Sequence, residues 1–208
     1  VQQKVREACS AKIEKDRKKG IINRPVRAMV VGIPNVGKST FINAFAGKAC
    51  TKTGNKPGVT KGKQWIHISK ELELLDTPGI LWPKFEDQTI GERLALIGSI
   101  NDEILSVEDL AFATIKFLLE KYPDRIKERY NIDFSNISDE DGKSIELNVA
   151  GVDNLEQASV ILKVMDLICV KRGCLKKGKE PDYLRVSGMI MDDFRSGKLG
   201  NITLELPE

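Results

Sequence analysis

Several features common in other classes of protein are missing from this 208-residue chain. It has one histidine, His67, and four cysteines without a C-x-x-C pair, so the ligand spacing of a zinc site is absent. No apolar run approaches the ~20 residues of a membrane span. The charged opening segment does not resemble a signal peptide. We therefore expect a cytoplasmic protein with reduced cysteines and no membrane association.

The charge of the chain is modest in total but uneven in distribution. The formal net charge is +3, and the hydrophobic fraction of 41% suffices for a globular core. Positive charge is concentrated in residues 1–27 and again in residues 171–179, where five basic side chains occur without an acidic one. Such clusters are typical of contact with a phosphate backbone, and equally of a solvated helix face beside a basic loop.

The most informative stretch runs from Gly32 to Ser39 and reads Gly-Ile-Pro-Asn-Val-Gly-Lys-Ser. It fits the G-x-x-x-x-G-K-[ST] phosphate loop, whose glycines let backbone N–H groups surround a polyphosphate. The apolar run at 28–31 predicts a buried strand before the loop, and residues 39–46 predict a helix after it. This order places phosphates at a helix N-terminus, where free N–H groups and the macrodipole favour anions.

Two segments supply the side chains that would handle a triphosphate. Lys38 is expected to reach the β- and γ-phosphates, and the Ser39 hydroxyl to bind Mg²⁺. Asp76 ends an apolar run and begins the sequence Asp-Thr-Pro-Gly. Its carboxylate is predicted to hold Mg²⁺ through water, and Gly79 to offer a backbone N–H to the γ-phosphate. Each short match is weak by itself, whereas their order and spacing together are specific.

A loop rich in glycine, lysine and threonine, residues 51–63, lies between these segments. Thr60, at the end of Pro57–Thr60, is the candidate for a second hydroxyl ligand of Mg²⁺. Such loops become ordered on the γ-phosphate and relax after hydrolysis. The predicted nucleotide-binding residues are Asn35, Val36, Gly37, Lys38, Ser39, Thr40, Thr60 and Gly79.

Hydrophobic periodicity gives a coarse picture of the rest of the chain. It predicts one helix over residues 1–19, a hairpin of strands at 64–68 and 72–75, and helices beyond residue 83. Ser106 is a predicted helix cap, and residues 131–153 a predicted long loop. We expect an α/β nucleotide-binding domain over residues 1–90 and an α-helical domain over residues 91–208. Two of the predicted apolar helix faces comprise Leu155, Ala158, Leu162, Met165 and Cys169, and Tyr183, Val186, Ile190 and Phe194.

The motifs together resemble the circularly permuted GTPases of the ribosome biogenesis GTPase A (YlqF) family. The matching segments are residues 35–39, 57–60, 76–85, 122–123, 171–175 and 192–200. The resemblance implies a partial, circularly permuted α/β P-loop GTPase domain followed by an all-α C-terminal domain. It also implies GTP hydrolysis coupled to late assembly of the bacterial 50S ribosomal subunit.

The same resemblance implies cofactors, catalytic residues and partners. The cofactors are GTP, Mg²⁺ and a K⁺ ion held partly by Asn35, which alternatively serves only as a turn-forming residue after Pro34. Lys38 and Asn35 are the predicted catalytic residues, because K⁺ would supply the charge that an arginine finger supplies elsewhere. The predicted partner of a monomeric protein is the large subunit, with ribosomal RNA bound by Lys171, Arg172, Lys176, Lys177, Lys179, Arg195 and Lys198.

The sequence departs from a complete GTPase in two respects. It contains no guanine-reading N-K-x-D sequence, and it begins with Val1. We therefore expect it to be roughly the C-terminal two-thirds of a longer protein. Ile80 occupies the position where many GTPases have a water-orienting glutamine. His67 shares a strand face with Trp65, which favours packing or exposure over catalysis.

Two other functions fit parts of the sequence. One is an RNA-binding assembly module in which the helical domain carries the activity and this part of the protein binds nucleotide poorly. The other is a different P-loop NTPase, such as an ATPase or a small-molecule kinase, although neither a substrate lid nor an adenine site is recognisable.

Overall fold

The computed structural model describes residues 1–22, 24–54, 58–60, 62–81, 87–100, 106–134 and 154–205. The chain divides into two compact units, one of Val1–Glu86 with Ile97–Asn101 and one of Asp87–Leu96 with Asp102–Glu208. The sequence predicts a single boundary near residue 90. It does not predict that residues 97–101 belong to the first unit. Pro57, residues 82–85 and residues 135–153 of the predicted loop lie outside the described residues.

A mixed three-stranded sheet forms the centre of the first unit. Its strands are β1 (Val26–Val30), β2 (Gln64–Ser69) and β3 (Leu72–Asp76), in the order β1-β3-β2. β3 pairs with β1 in parallel and with β2 antiparallel, which confirms the predicted hairpin. The strand predicted at 28–31 is present as Val26–Val30, but none of its residues is buried, so the prediction of a buried strand was wrong. Since Val30 lies opposite Asp76, the phosphate loop and the Asp-Thr-Pro-Gly segment leave the sheet at the same edge.

One face of the sheet packs against α3 (Lys38–Ala46). The buried core of this unit consists of Ile42, Ile66, Leu72 and Leu74. Alternate residues of β3 are buried, as expected for a strand that exposes one face and covers the other. On β1, Met29 is 60% exposed, so burial of the opposite face by the described residues is incomplete.

The predicted N-terminal helix is interrupted. The structure has α1 (Gln2–Ala8) and α2 (Ser10–Lys18), separated by Cys9 at φ −102° and ψ 8°. The N–H of Ile13 still bonds to the carbonyl of Cys9 at 3.0 Å, so the break is local. No glycine or proline marks it, and the apolar spacing alone does not predict it.

The second unit is helical. It contains α4 (Gln88–Leu96), α5 (Val107–Lys121), α6 (Pro123–Tyr130), α7 (Asn154–Arg172) and α8 (Tyr183–Arg195). The Ser106 side chain accepts a hydrogen bond from the Asp109 N–H, confirming the predicted cap of α5. Asp182 caps α8 in the same way, through the Arg185 N–H.

Two predicted helix faces require correction. On α7 the buried residues include Val160, Ile161, Val164 and Ile168, whereas Leu155 and Leu162 are exposed. The apolar residues of α7 occur almost all round the helix, so periodicity does not identify the buried face. On α8, Val186 and Ile190 are buried as predicted, but Phe194 is half-buried and Tyr183 exposed.

Candidate functional site

The Gly32–Ser39 loop connects β1 to α3 through residues in the left-handed conformation. Gly37 has φ 87° directly before α3, and Asn35 has φ 57°. Glycine adopts this conformation without a steric penalty, and asparagine is one of the few other residues that do so routinely. Asn35 is therefore a turn-forming residue, as one of the two interpretations predicted. The other interpretation, in which Asn35 binds K⁺, depends on its side-chain oxygen.

Lys38 lies at the first position of α3 and folds back over the loop. Its Nζ atom donates hydrogen bonds to the carbonyl oxygens of Gly32, at 3.1 Å, and Ile33, at 2.7 Å. Burial lowers the pKa of Lys38, and the negative charge of Asp76 partly opposes this effect. Phosphate oxygens would offer this ammonium group charged acceptors, which bind more strongly than the two carbonyls.

Ser39 joins the two other predicted Mg²⁺-binding residues. Its Oγ atom lies 3.1 Å from Oδ2 of Asp76 and 3.2 Å from Oγ1 of Thr60. Asp76 is 1% exposed, and its Oδ1 atom has no hydrogen-bond partner among the described residues. A buried carboxylate oxygen without a partner is costly unless a cation or water satisfies it.

These three side chains fit Mg²⁺ by the chemistry of their oxygen atoms. Magnesium commonly takes one or two protein oxygens and completes its octahedral shell with water and phosphate. Within the described residues, no cluster of three histidine, cysteine or acidic side chains could hold a metal by itself. A ligand set of one carboxylate and two hydroxyls, completed from outside the protein, agrees with both observations.

Gly79 lies against the phosphate loop so closely that only glycine fits. A Cβ atom built on Gly79 would lie 2.4 Å from Cα and 2.5 Å from the backbone nitrogen of Pro34. Real Cβ atoms do not approach backbone so closely, so any side chain here must displace one segment. Close approach of two backbones is a common reason for glycine.

The segment after α4 holds the same part of the phosphate loop. The Ser99 hydroxyl, on a residue 1% exposed, donates to the carbonyl oxygen of Pro34 at 2.7 Å. The Asn35 Nδ2 atom donates to the carbonyl oxygen of Gly98 at 3.3 Å. The hydrogen bond from Nδ2 to Gly98 thus orients the Asn35 carboxamide. The Oδ1 atom is then left as an acceptor.

A cavity of about 260 Å³ lies over the phosphate loop. Of the predicted nucleotide-binding residues, all except Val36 line it. The sequence did not single out Lys52, Thr53 and Gly54, which also line the cavity. Their only signal was membership of the loop rich in glycine, lysine and threonine, a composition that also suits solvent-exposed loops.

Asn43 is a further residue that the sequence reasoning missed. Its Oδ1 atom accepts hydrogen bonds from the N–H groups of Cys50 and Thr51, both at 2.8 Å. Its Nδ2 atom donates to the carbonyl oxygen of Thr51 at 2.9 Å. The start of the cavity-lining loop is therefore fixed to α3, a role that no helix periodicity indicates.

The other predictions for this unit concern water activation. His67 is exposed on β2, as the sequence allowed, with its Nδ1 atom 3.8 Å from Oε1 of Glu73. Ile80 is 76% exposed. Among the described residues that line the cavity, neither histidine nor glutamine occurs.

The basic residues of the second unit fall into two groups. Lys176, Lys177 and Lys179 are exposed on a turn closed by the Leu175–Pro181 bridge. The Lys176 N–H bonds to the carbonyl of Glu180 at 2.9 Å, and Lys179 has φ 68°, so the turn has a defined backbone. Lys171 is also exposed, at the end of α7.

The remaining predicted RNA-binding residues bind to other groups of the second unit. Arg195 donates to the carbonyls of Ala95, at 2.9 Å, and Leu96, at 3.1 Å, and thereby caps α4. Lys198 lies 3.2 Å from the buried Asp193. Arg172 bonds to the carbonyl of Arg129. Three of the seven predicted residues thus have a structural partner, whereas Lys171 and the turn present their charge to solvent.

A membrane-spanning helix is not found in the part of the chain that the structure describes.

The phosphate loop between β1 and α3, with Asp76 at the end of the neighbouring parallel strand, defines a P-loop nucleotide-binding domain. Residues 27–133 match the family of 50S ribosome-binding GTPases. The match covers more than half of the chain and includes every predicted nucleotide-site residue. The chain belongs to this family.

Individual relatives agree with the family match. The ribosome biogenesis GTPase A of Bacillus cereus is 46% identical over 95% of this chain and 59% of its own length. That of Thermotoga maritima is 32% identical over 92% of this chain and 60% of its own length. The solved structure of GNP-bound YlqF from T. maritima is similar to this chain with a TM-score of 0.50 and 26% sequence identity. The similarity covers 94% of this chain and 65% of the YlqF chain. The chain thus spans about three-fifths of the length of these curated relatives.

Proposed function

We propose that this chain carries the phosphate-handling part of a cytoplasmic GTPase that acts in assembly of the large ribosomal subunit. The single observation that carries the proposal is the junction of Ser39, Thr60 and Asp76 beside the phosphate loop. Membership of the 50S ribosome-binding GTPases supports the choice of GTP and of the ribosome as partner. The relatives are named for ribosome biogenesis, which supports the process.

The residues of this chain would act mainly by binding and orientation. The N-terminus of α3 and the loop N–H groups hold the inner phosphates, and Lys38 exchanges its two carbonyl partners for phosphate oxygens. Ser39, Thr60 and Asp76 would hold Mg²⁺, which when bound neutralises charge on the β- and γ-phosphates. Gly79 presents its backbone beside Pro34, where its N–H group is available to the terminal phosphate.

Asn35 is the proposed protein ligand of K⁺. Its side-chain nitrogen is occupied by the Gly98 carbonyl. The carboxamide oxygen, which accepts no hydrogen bond from the described residues, is a suitable ligand for a monovalent cation. A second positive charge beside the phosphates would stabilise the negative charge that develops during hydrolysis.

The proposed RNA contact is made by a monomer through Lys171 and the turn at Lys176, Lys177 and Lys179. These ammonium groups are exposed and close together in sequence, and the turn holds three of them on a defined backbone. Neutralising several RNA phosphates would give a binding constant that falls steeply with salt. Arg172, Arg195 and Lys198 would contribute mainly by stabilising the unit that carries this surface.

The proposal is tested by GTP hydrolysis in the presence of large ribosomal subunits. We expect Lys38→Ala in the gene product that contains this chain to lower stimulated turnover by about a hundredfold, as loss of a transition-state contact does elsewhere. Lys70→Ala, at an exposed turn position between β2 and β3, is the matched control and should retain turnover. Unchanged turnover in Lys38→Ala would contradict the proposed mechanism.

A second candidate function is an RNA-binding assembly module that binds nucleotide poorly. It is favoured by the absence of an N-K-x-D sequence and by the exposed basic turn. Calorimetric titration of the gene product that contains this chain with GTP and with ATP separates the two. Weak binding of both nucleotides together with tight RNA binding would favour the module.

A further inference from the structure

Lys52 is a second lysine at the phosphate cavity. It lines the cavity together with Gly37, Lys38 and Ser39. Within the described part of the chain, no carboxylate lies within ion-pair distance of Lys52. Its positive charge is therefore available to a ligand in the cavity.

The residue before Lys52 is fixed to the helix that begins at the phosphate loop. The Thr51 N–H donates to Oδ1 of Asn43 at 2.8 Å, and the Thr51 carbonyl accepts from Nδ2 of Asn43 at 2.9 Å. The Thr51 hydroxyl donates to the backbone carbonyl of Ser39 at 3.1 Å. Lys52 thus extends from an anchored backbone, which reduces the entropy lost when its side chain binds a ligand.

Thr51 and Thr60, at the two ends of the loop, both contact Ser39. Thr51 bonds to the Ser39 carbonyl, and Thr60 lies 3.2 Å from the Ser39 hydroxyl. In GTP-binding sites, the loop that carries the second Mg²⁺ hydroxyl is the part that responds to the terminal phosphate. Lys52 belongs to this loop, which associates it with the terminal phosphate rather than with the inner ones.

The positive charge of the cavity wall also favours a contact between Lys52 and the terminal phosphate. Lys38 and Lys52 are both positive, and none of the described residues that line the cavity is acidic. Lys38 belongs to the phosphate loop, which surrounds the inner phosphates. A nucleoside triphosphate carries more negative charge than a diphosphate, and the additional charge lies on the terminal group.

On these grounds we propose that Lys52 contacts the terminal phosphate of a nucleoside triphosphate and sets the preference of the site for triphosphate over diphosphate. The proposal rests on the proposed function, because it requires that the cavity binds nucleotide. It assigns Lys52 to substrate binding, as a second cation beside Lys38.

The test uses the gene product that contains this chain and compares, by calorimetry, its affinities for Mg²⁺-GppNHp, a non-hydrolysable triphosphate, and for Mg²⁺-GDP. We expect Lys52→Gln to weaken GppNHp binding by about tenfold, the loss of one charge-assisted hydrogen bond, and to leave GDP binding within about twofold. Lys52→Arg retains the charge and should retain the preference. Lys63→Gln removes a neighbouring exposed lysine that does not line the cavity, and should match the unmodified chain.

Three results would overturn the proposal. Unchanged affinities in Lys52→Gln would show that the side chain does not contact the nucleotide. Equal weakening of both nucleotides would assign it to an inner phosphate or to the fold of the loop. If the unmodified gene product bound neither nucleotide, the proposed function would fail together with the role of Lys52, whereas in the first two cases only the role of Lys52 would fail.

Discussion

Ser39 is the residue at which the parts of the phosphate site meet. Its hydroxyl is shared between Asp76 and Thr60, and its carbonyl accepts from Thr51. Removal of the hydroxyl would therefore break the contacts of α3 with the end of β3 and with Thr60, and would also remove a proposed metal ligand. The site depends on contacts between segments that are distant in sequence, which explains why single motifs in it are weak signals.

Gly79→Ala is predicted to impair nucleotide binding without unfolding the chain. The new Cβ atom would lie 2.4 Å from Cα of Pro34, so the phosphate loop or the Asp76–Gly79 segment must move. We expect triphosphate affinity to fall by about tenfold or more, and the unfolding free energy by about 1–3 kcal/mol. Calorimetry with a non-hydrolysable triphosphate and urea denaturation would measure the two effects.

Gly62→Ala is the matched control for this substitution. A Cβ atom at Gly62 would have no heavy atom within 4 Å, and its backbone is not in the left-handed region. Its affinity for triphosphate should equal that of the unmodified chain. Equal affinities in Gly79→Ala and Gly62→Ala would show that the contact with Pro34 does not shape the site.

At the scale of helices and strands, predictability depended on how clearly one face is apolar. The alternation at 64–68 and the apolar residues at 72–75 made the hairpin predictable, whereas burial of Asp76 and half-burial of Leu75 depart from a simple apolar face. α7 is apolar on several sides, and its exposed Leu155 and Leu162 were wrongly predicted to face the core. The break at Cys9 has no sequence signal, because neither residue chemistry nor spacing changes there.

Asp193 on α8 links several elements of the helical unit. It is 2% exposed and accepts hydrogen bonds from Nε and Nη2 of Arg129, both at 2.9 Å. Burial alone would raise the pKa of Asp193, but the hydrogen bonds and charges of Arg129 and Lys198 outweigh burial and lower it. The carboxylate is therefore stabilised in its ionised form in the folded protein.

Asp193→Asn is predicted to destabilise the protein at neutral pH by about 3 kcal/mol, because it replaces the buried, charged partner of Arg129 by a neutral group with one acceptor oxygen. A carboxyl group with a lowered pKa contributes stability above its unfolded pKa of about 4, and this contribution is lost as the pH falls through the folded pKa. The difference between the variant and the unmodified chain should therefore shrink below about pH 4. Urea unfolding of both proteins at several pH values measures this difference in the free energy of unfolding.

The adjacent Asp192 provides the control for this prediction. Asp192 is exposed, so Asp192→Asn should leave stability nearly unchanged at every pH. A difference for Asp193→Asn that stayed constant down to pH 2 would mean that the Asp193 charge does not stabilise the fold.

At the scale of the whole chain, the phosphate loop, its strand and its helix were predictable because one motif and two periodicities agree. The proximity of Thr60 and Asp76 to Ser39 followed from the expected chemistry of a magnesium site. The contacts of Ser99 with Pro34 and of Asn43 with Thr51 were not predictable. They depend on tertiary packing of polar residues that have many alternative uses in a sequence.

The basic turn should dominate RNA binding by the chain. Replacement of Lys176, Lys177 and Lys179 by glutamine is expected to weaken binding of a ribosomal RNA fragment, and to reduce the slope of log K against log salt by about 2 to 3. A triple replacement of Lys48, Lys63 and Lys70, which are exposed on the first unit and belong to neither basic cluster, is the matched control. Filter binding at several salt concentrations measures both, and an equal loss in the two variants would indicate only a general effect of net charge.

The central claim is that Ser39, Thr60 and Asp76 form a magnesium-dependent triphosphate site. The most direct test is the affinity of the chain and of Asp76→Asn for a non-hydrolysable GTP analogue as Mg²⁺ is varied. Asparagine keeps the shape of the side chain and removes its charge, so we predict that Mg²⁺ strengthens binding by the unmodified chain and has little effect in the variant. The same dependence on Mg²⁺ in both proteins would contradict the account.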